Sequence, residues 1–179
     1  MDLFLIEPGL LQQKLGRPDL VVIDCSWYSP EAGKCGLESF REGHIPTARF
    51  FDLDAASDKT SPYPNMLPPM EQFAEVAGSL GIDNDTEVII YDASYVSARV
   101  WWMLRLFGHD RVRILNGGWR RWKAERRPVE TGDTMPVAAA QFRAIEPAGQ
   151  VAEWRQVLGA VQSGAAQVVD ARTTERLTG

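Results

Sequence analysis

The residues best placed to do chemistry are Asp92-Ala93-Ser94-Tyr95-Val96-Ser97. They join a continuous β-branched run, Glu87-Val88-Ile89-Ile90-Tyr91, to a helix-spaced stretch from Ser97 to Phe107. A short loop in that position collects backbone N–H groups, with the positive end of a helix behind them, and so cradles an anion. A nucleophile at the head of the loop would be stabilised in its negative form. The head residue is Asp92, which fills the cradle with the protein's own charge. That reads as a catalytic loop without its nucleophile. A plainer role for Asp92, capping the helix start or the loop amides, is compatible with it.

The two thiols stand elsewhere. Cys25 closes the run Leu20-Val21-Val22-Ile23-Asp24 and reads as a packed core residue; Cys35 falls in a polar loop and reads as incidental and exposed. They form no C-x-x-C pair and no metal-ligand set, so neither a disulfide scaffold nor a resident metal is expected, and a reducing compartment is. The opening residues lack the basic region and long apolar run of a secretory signal. No run of about 18 apolar residues is present, so no membrane span is expected. A cytoplasmic location follows as the expectation. A net charge of -5 argues against nucleic acid as a partner. The basic stretch Arg111, Arg113, Arg120, Arg121, Lys123, Arg126 and Arg127 reads as a solvated face.

The elements that must position the loop follow from periodicity. Pro8 opens a short helix that Gly16-Arg17-Pro18 breaks, and residues 20–25 make a buried strand. Residues 28–43, rich in Gly, Glu and Lys, read as a loop that admits a helical turn. Ala48 to Phe51 is a short strand, and the proline-dense segment from Ser57 to Pro69 excludes a regular element. Helices are expected at Met70–Leu80, Ser97–Phe107 and Trp119–Glu125, and strands at Glu87–Tyr91 and Val112–Leu115. Strands alternating with helices imply an α/β domain with a mainly parallel sheet and helices on both faces. An extended piece fits Ala140 to Ala144.

The beginning of this unit is echoed. Gln167-Val168-Val169-Asp170-Ala171-Arg172 repeats the strand-and-acid pattern of residues 20–25, again after an apolar-periodic stretch, Val151 to Val161. The chain is therefore expected to hold a first domain at 1–130, a linker at 131–150 that wraps the first domain, and the beginning of a second, truncated domain at 151–179.

With the order of these motifs in hand, the chain resembles the sulfurtransferases of the rhodanese family, most of all their 3-mercaptopyruvate branch. The resemblance rests on Ile23-Asp24-Cys25-Ser26-Trp27-Tyr28, Phe40-Arg41-Glu42-Gly43-His44-Ile45-Pro46, Phe50-Phe51-Asp52-Leu53-Asp54, Met66-Leu67-Pro68 and Tyr91-Asp92-Ala93-Ser94. It continues through Arg99-Val100-Trp101-Trp102-Met103-Leu104-Arg105 and Asn116-Gly117-Gly118. It implies a rhodanese-like domain that is catalytically silent, because in the active domain a cysteine begins the loop that Asp92 begins here. The equivalent loop of the second copy would fall past Gly179, so the family's sulfur-carrying cysteine is expected to be absent from this chain.

By the same resemblance Arg176 binds the anionic substrate, and a guanidinium fork suits a carboxylate or a thiosulfate. Asp54 matches an acid of a serine–histidine–aspartate relay, Asn65 stands at the relay histidine, and Tyr95 matches a tyrosine lining the cleft. Asn cannot transfer a proton at neutral pH, which weakens the relay. His44 is expected to bond backbone groups. Thr47 replaces the glycine of the family's His-Ile-Pro-Gly-Ala turn, which puts the turn's conformation in question. Trp101 and Trp102 are expected to be structural, and Trp27 to line the cleft. The implied partners are a small anionic sulfur donor, a thiol or cyanide acceptor and the chain's own second domain, with no cofactor. An alternative is a non-catalytic binding or regulatory module derived from such an enzyme. Phosphatase chemistry on the related fold would need a cysteine and an arginine where Asp92 and Ser97 stand.

Overall fold

The computed structural model describes residues 4–147 and 149–170, which fall into two compact units, 1–146 and 147–179. The first unit is built on five parallel strands. These are β1 (Leu5–Ile6), β2 (Leu20–Asp24), β3 (Arg49–Phe50), β4 (Glu87–Tyr91) and β5 (Val112–Leu115), ordered β1-β5-β4-β2-β3. The two central strands read as unbroken apolar runs because both faces are covered. Val21, Ile23, Val88 and Ile90 enter one core; Leu20, Val22, Ile89 and Tyr91 enter the other.

Helices supply the two covers. On one face lie α3 (Met70–Ser79) and α4 (Ser97–Leu106), burying Phe73, Ala77, Val100, Met103 and Leu104. On the other lie α1 (Pro8–Lys14), α2 (Gly36–Glu42) and α5 (Gly118–Ala124), burying Leu11, Phe40, Trp119 and Trp122. Trp101 and Trp102 are half-buried and pack on the first core, in keeping with a structural role.

Residues 131–146, read from composition as linker, belong to this first unit. The Ala140 N–H donates to the Gly78 carbonyl at 2.9 Å, and the Ile145 N–H to the Phe107 carbonyl at 3.0 Å. Asn84 bonds both backbone groups of Arg143, at 3.0 and 2.9 Å. Phe142 drops into the core beside Phe73, ring centres 5.9 Å apart. The strap lies so close to α3 that a Cβ on Gly78 would come within 2.5 Å of the Ala140 carbonyl oxygen, so only glycine fits there.

The turn at Thr47 keeps a glycine's geometry without the glycine. Thr47 has φ 66°, and its N–H donates to Glu130 Oε2 at 3.0 Å. A β-branched residue is strained in the left-handed region by about 1–2 kcal/mol. Thr47→Gly is therefore expected to raise stability by about 1 kcal/mol after glycine's entropy cost, read from urea unfolding midpoints at constant slope. His44, beside it, is buried and its Nδ1 lies 2.9 Å from the Phe40 carbonyl oxygen, the backbone bond expected of it.

In the second unit the described residues hold one helix, α6 (Trp154–Ser163), opened by a capping box between Glu153 and Gln156. Trp154, Leu158 and Val161 share one stripe of it. The strand expected from Gln167 onward is not formed among the described residues: 167–170 joins no ladder. A strand exists only with a partner to bond, whatever its composition. Arg172 and Arg176 lie outside the described residues.

Candidate functional site

Three segments meet at the carboxyl ends of the strands: Cys25–Trp27 after β2, Asp92–Val96 after β4, and Asn116–Gly117 after β5. This is where an open parallel sheet places its working loops. The loops are tied to one another. The Ala93 N–H donates to Ser26 Oγ at 2.9 Å, and the Trp27 N–H to Ser94 Oγ at 3.4 Å. The Trp119 N–H donates to the Asp92 carbonyl at 3.0 Å. Gly118, at φ 55°, permits that approach, since a Cβ there would stand 2.9 Å from the same carbonyl oxygen.

Asp92 is buried, and its carboxylate accepts from the Ser97 N–H at the first turn of α4. The side chain thus closes the loop on its own backbone. The anion position of the loop is occupied by the protein itself, and the Ala93 amide is spent on Ser26. No group among the described residues gathers three or more His, Cys, Asp or Glu side chains around a point fit for a metal ion.

Cys25 lies directly beneath, fully buried, and its thiol donates to the Tyr91 carbonyl at 3.4 Å. Burial, with the nearby Asp92 and Asp24 carboxylates, pushes the thiol well above its ordinary pKa. It is a packed thiol held protonated, the opposite of an activated nucleophile. Cys35 is exposed. Asp24 is buried and pushed up by desolvation, against hydrogen bonds from Ser26 and the Tyr91 hydroxyl. The Ser26 N–H donates to Asp24 Oδ1 at 2.8 Å.

Of the residues expected at the substrate site, the structure brings two together. Asp54 and Asn65 line one cavity of about 380 Å³, formed by the 54–65 segment. Trp27 reaches Asp54: its indole N–H lies 3.0 Å from both carboxylate oxygens. Asn65 sits at φ 56°, and its backbone carbonyl accepts from the half-buried Arg99 guanidinium. The Asn65 side-chain oxygen is buried without a hydrogen-bond partner. Tyr95 is on the Asp92 loop but is 66 % exposed and lines none of these cavities. The reading from sequence did not find the Ser26 and Ser94 hydroxyls or the Arg99 anchor. The signal for the serines was their position directly after two adjacent strand ends.

A second buried ionisable group gives a pH handle. His109 is buried at the end of α4, and desolvation holds its imidazole below the ordinary value of 6.5. The unfolded chain then takes up a proton near 6.5 before the folded protein does, so the stabilisation is complete above that pH and is lost progressively as pH falls from there through the folded protein's lower value. The expected result is a melting temperature that drops as pH is lowered below about 6.5, with a shallower drop in His109→Phe.

The comparisons with known proteins bear on this geometry. Residues 7–125 match the family model of the rhodanese-like domain. The chain belongs to the rhodanese family. Among its relatives, 3-mercaptopyruvate sulfurtransferase of Homo sapiens is 43% identical over 178 residues, which is 97% of this chain and 59% of that protein. Thiosulfate sulfurtransferase of Cricetulus griseus is 44% identical over 166 residues, 90% of this chain and 55% of the relative. This rhodanese chain thus spans a little over half the length of the curated relatives it matches. In solved structures it superposes on SseA from Escherichia coli, a structure reported for the rhodanese fold of 3-mercaptopyruvate sulfotransferases. The TM-score is 0.91 and the identity 34%, covering 99% of this chain and 68% of that one. Tum1 of Saccharomyces cerevisiae follows the same fold, with a TM-score of 0.80 and 28% identity over 92% of this chain and 58% of that one. The sulfurtransferase family and the rhodanese α/β fold are therefore those of this chain.

Proposed function

We propose that the protein carrying this chain transfers sulfur to a thiol or cyanide through a cysteine persulfide, taking it from 3-mercaptopyruvate with release of pyruvate or from thiosulfate with release of sulfite. In this reading the first unit is the catalytically silent domain, and the sulfur-carrying thiol is supplied by residues other than the two cysteines present. The observation that carries it is Asp92, closed on Ser97 at the head of the loop where a nucleophile would stand. Cys25 supports it, being buried and held protonated.

From the family resemblance Arg176 is assigned the donor's anionic group; in the first unit, Asp54 and Asn65, which line the 54–65 cavity, and Tyr95, exposed on the Asp92 loop, are assigned as substrate contacts. Trp27 fixes the Asp54 carboxylate from the side through its indole N–H. The two unpaired cysteines suit a reducing, cytoplasmic setting.

The test is kinetic. The full-length protein is assayed with both donors, and 3-mercaptopyruvate is expected to give the higher kcat/KM. Arg176→Gln is expected to raise KM for either donor by roughly tenfold or more while kcat changes less, the signature of lost anion binding. A preference reversed towards thiosulfate would overturn the donor assignment. An unchanged KM would remove Arg176 from the site.

A further inference from the structure

The acid on the wall of the 54–65 cavity is not set as a proton relay would need. Asp54 and Asn65 both line the cavity, yet their side chains share no hydrogen bond. The Asn65 side-chain oxygen is buried and unpartnered, and its backbone carbonyl accepts from the Arg99 guanidinium, which lines no part of the cavity. An amide so held passes no proton to or from Asp54.

What holds the Asp54 side chain is Trp27. The indole N–H stands 3.0 Å from both carboxylate oxygens and so grips the group midway between them. Trp27 has little freedom of its own: it packs on the first core, and its backbone N–H donates to Ser94 Oγ at 3.4 Å. The backbone of Asp54 is held as well. Its carbonyl accepts from the Ser57 N–H at 3.1 Å and from Lys59 Nζ, and Leu53 and Ala56 on either side are buried.

An indole is a neutral donor, so it orients a carboxylate without cancelling its charge. Among the described residues no cation pairs with the Asp54 carboxylate, because Lys59 is spent on the backbone carbonyl. Asp58 on the same wall is also held by neutral donors, the Thr60 N–H and hydroxyl, each 2.8 Å from its Oδ1. The wall thus carries two carboxylates against one ammonium, and at Asp54 the charge is fixed in place. A fixed negative charge beside an anion site discriminates by the ligand's charge. At neutral pH thiosulfate is a dianion, whereas 3-mercaptopyruvate carries one carboxylate and a thiol that is mostly protonated. The repulsion weighs roughly twice as heavily on thiosulfate.

We propose that the Trp27–Asp54 pair sets the choice of sulfur donor: Asp54 is a specificity-determining residue that disfavours thiosulfate, and Trp27 is its positioning residue. The proposal rests on the sulfur-transfer reading above, with the 54–65 cavity facing the donor.

The test uses the full-length protein at neutral pH and reads the ratio of kcat/KM for 3-mercaptopyruvate to that for thiosulfate. Asp54→Asn, uncharged, of the same shape and at an exposed position, is expected to lower the ratio roughly fivefold, chiefly through a lower KM for thiosulfate. Trp27→Phe keeps a ring on the core and removes the donor. It is expected to lower the ratio roughly twofold, and to change nothing further when combined with Asp54→Asn. A structural role for either residue would weaken both donors alike and leave the ratio where it was. An unchanged ratio in Asp54→Asn, or the same effect of Trp27→Phe with and without the Asp54 carboxylate, would overturn the proposal while the sulfur-transfer reading stood. No transfer from either donor by the unaltered protein would overturn that reading and the proposal with it.

Discussion

Phe142→Ala is expected to destabilise the protein by about 3–5 kcal/mol, a large part of a small domain's stability. Phe142 is 5 % exposed, lies in the core cluster with Phe73, and stands 5.8 Å from the His109 ring. Its loss leaves a hole between α3 and α4 that the neighbours cannot refill, because the strap carrying it is fixed on both sides of residue 142. Gly78 and Phe107 bond its backbone, and Asn84 holds Arg143. The change is read from denaturant midpoints, and an exposed control such as Val137→Ala, 40 % exposed on the same strap, should shift them by less than about 0.5 kcal/mol. Equal effects at the two positions would mean that Phe142 does not anchor residues 131–146 in the core.

The second large effect concerns the head of the Asp92 loop. Asp92→Cys is expected to leave sulfur transfer at the background of the unaltered chain, despite placing a thiol where the family's active domain carries one. Three features of the site oppose activation. The Ala93 N–H is committed to Ser26, and Ser94 Oγ accepts from Trp27, so the loop offers few free donors to a thiolate. The buried Asp24 carboxylate is close enough to raise the thiol of Cys25, and the same field acts on a thiol at residue 92. The substitution also removes the acceptor that holds the Ser97 N–H. Trapping by mass spectrometry after thiosulfate treatment reads the outcome: sulfur added at residue 92 would show a working cradle and contradict this account.

These two cases also mark what was legible beforehand. The central strands β2 and β4, and helices α3, α4 and α5, were readable because a sheet covered on both faces demands unbroken apolar strands, and each helix buries one stripe. β1 was not readable: two residues carry no periodicity, and Leu5 and Ile6 are a strand only by pairing with Ile114 and Leu115. α2 was hidden by its glycine and charged residues; its helix is justified by Phe40 buried in the core, with Leu37 packed against it. The strap reads from composition as a linker that wraps the first domain; that one phenylalanine anchors it in the core is what small and polar residues do not show. At Gln167–Asp170 the composition said strand, but among the described residues the segment joins no ladder.

The site was half legible. The loop after β4 and the acid at its head followed from pattern; Trp27 was expected to line the cleft, and the structure shows its indole bonded to Asp54, a contact that depends on a fold no spacing shows. Asp54 and Asn65 were paired through the family resemblance, and the structure puts them on one cavity. The turn at Thr47 holds a left-handed conformation although glycine is missing. Local propensity yields there because Ile45 and Ala48 on either side are buried and fix the backbone between them.

The central claim is that neither cysteine of this chain performs sulfur transfer. Its most direct test is to treat the purified 179-residue chain with thiosulfate and, separately, with 3-mercaptopyruvate, map sulfur added to Cys25 and Cys35 by mass spectrometry, and measure thiocyanate formed from cyanide. The account predicts no added sulfur on Cys25 and no thiocyanate above the protein-free background. A persulfide on Cys25 accompanied by turnover, abolished in Cys25→Ser, would contradict it.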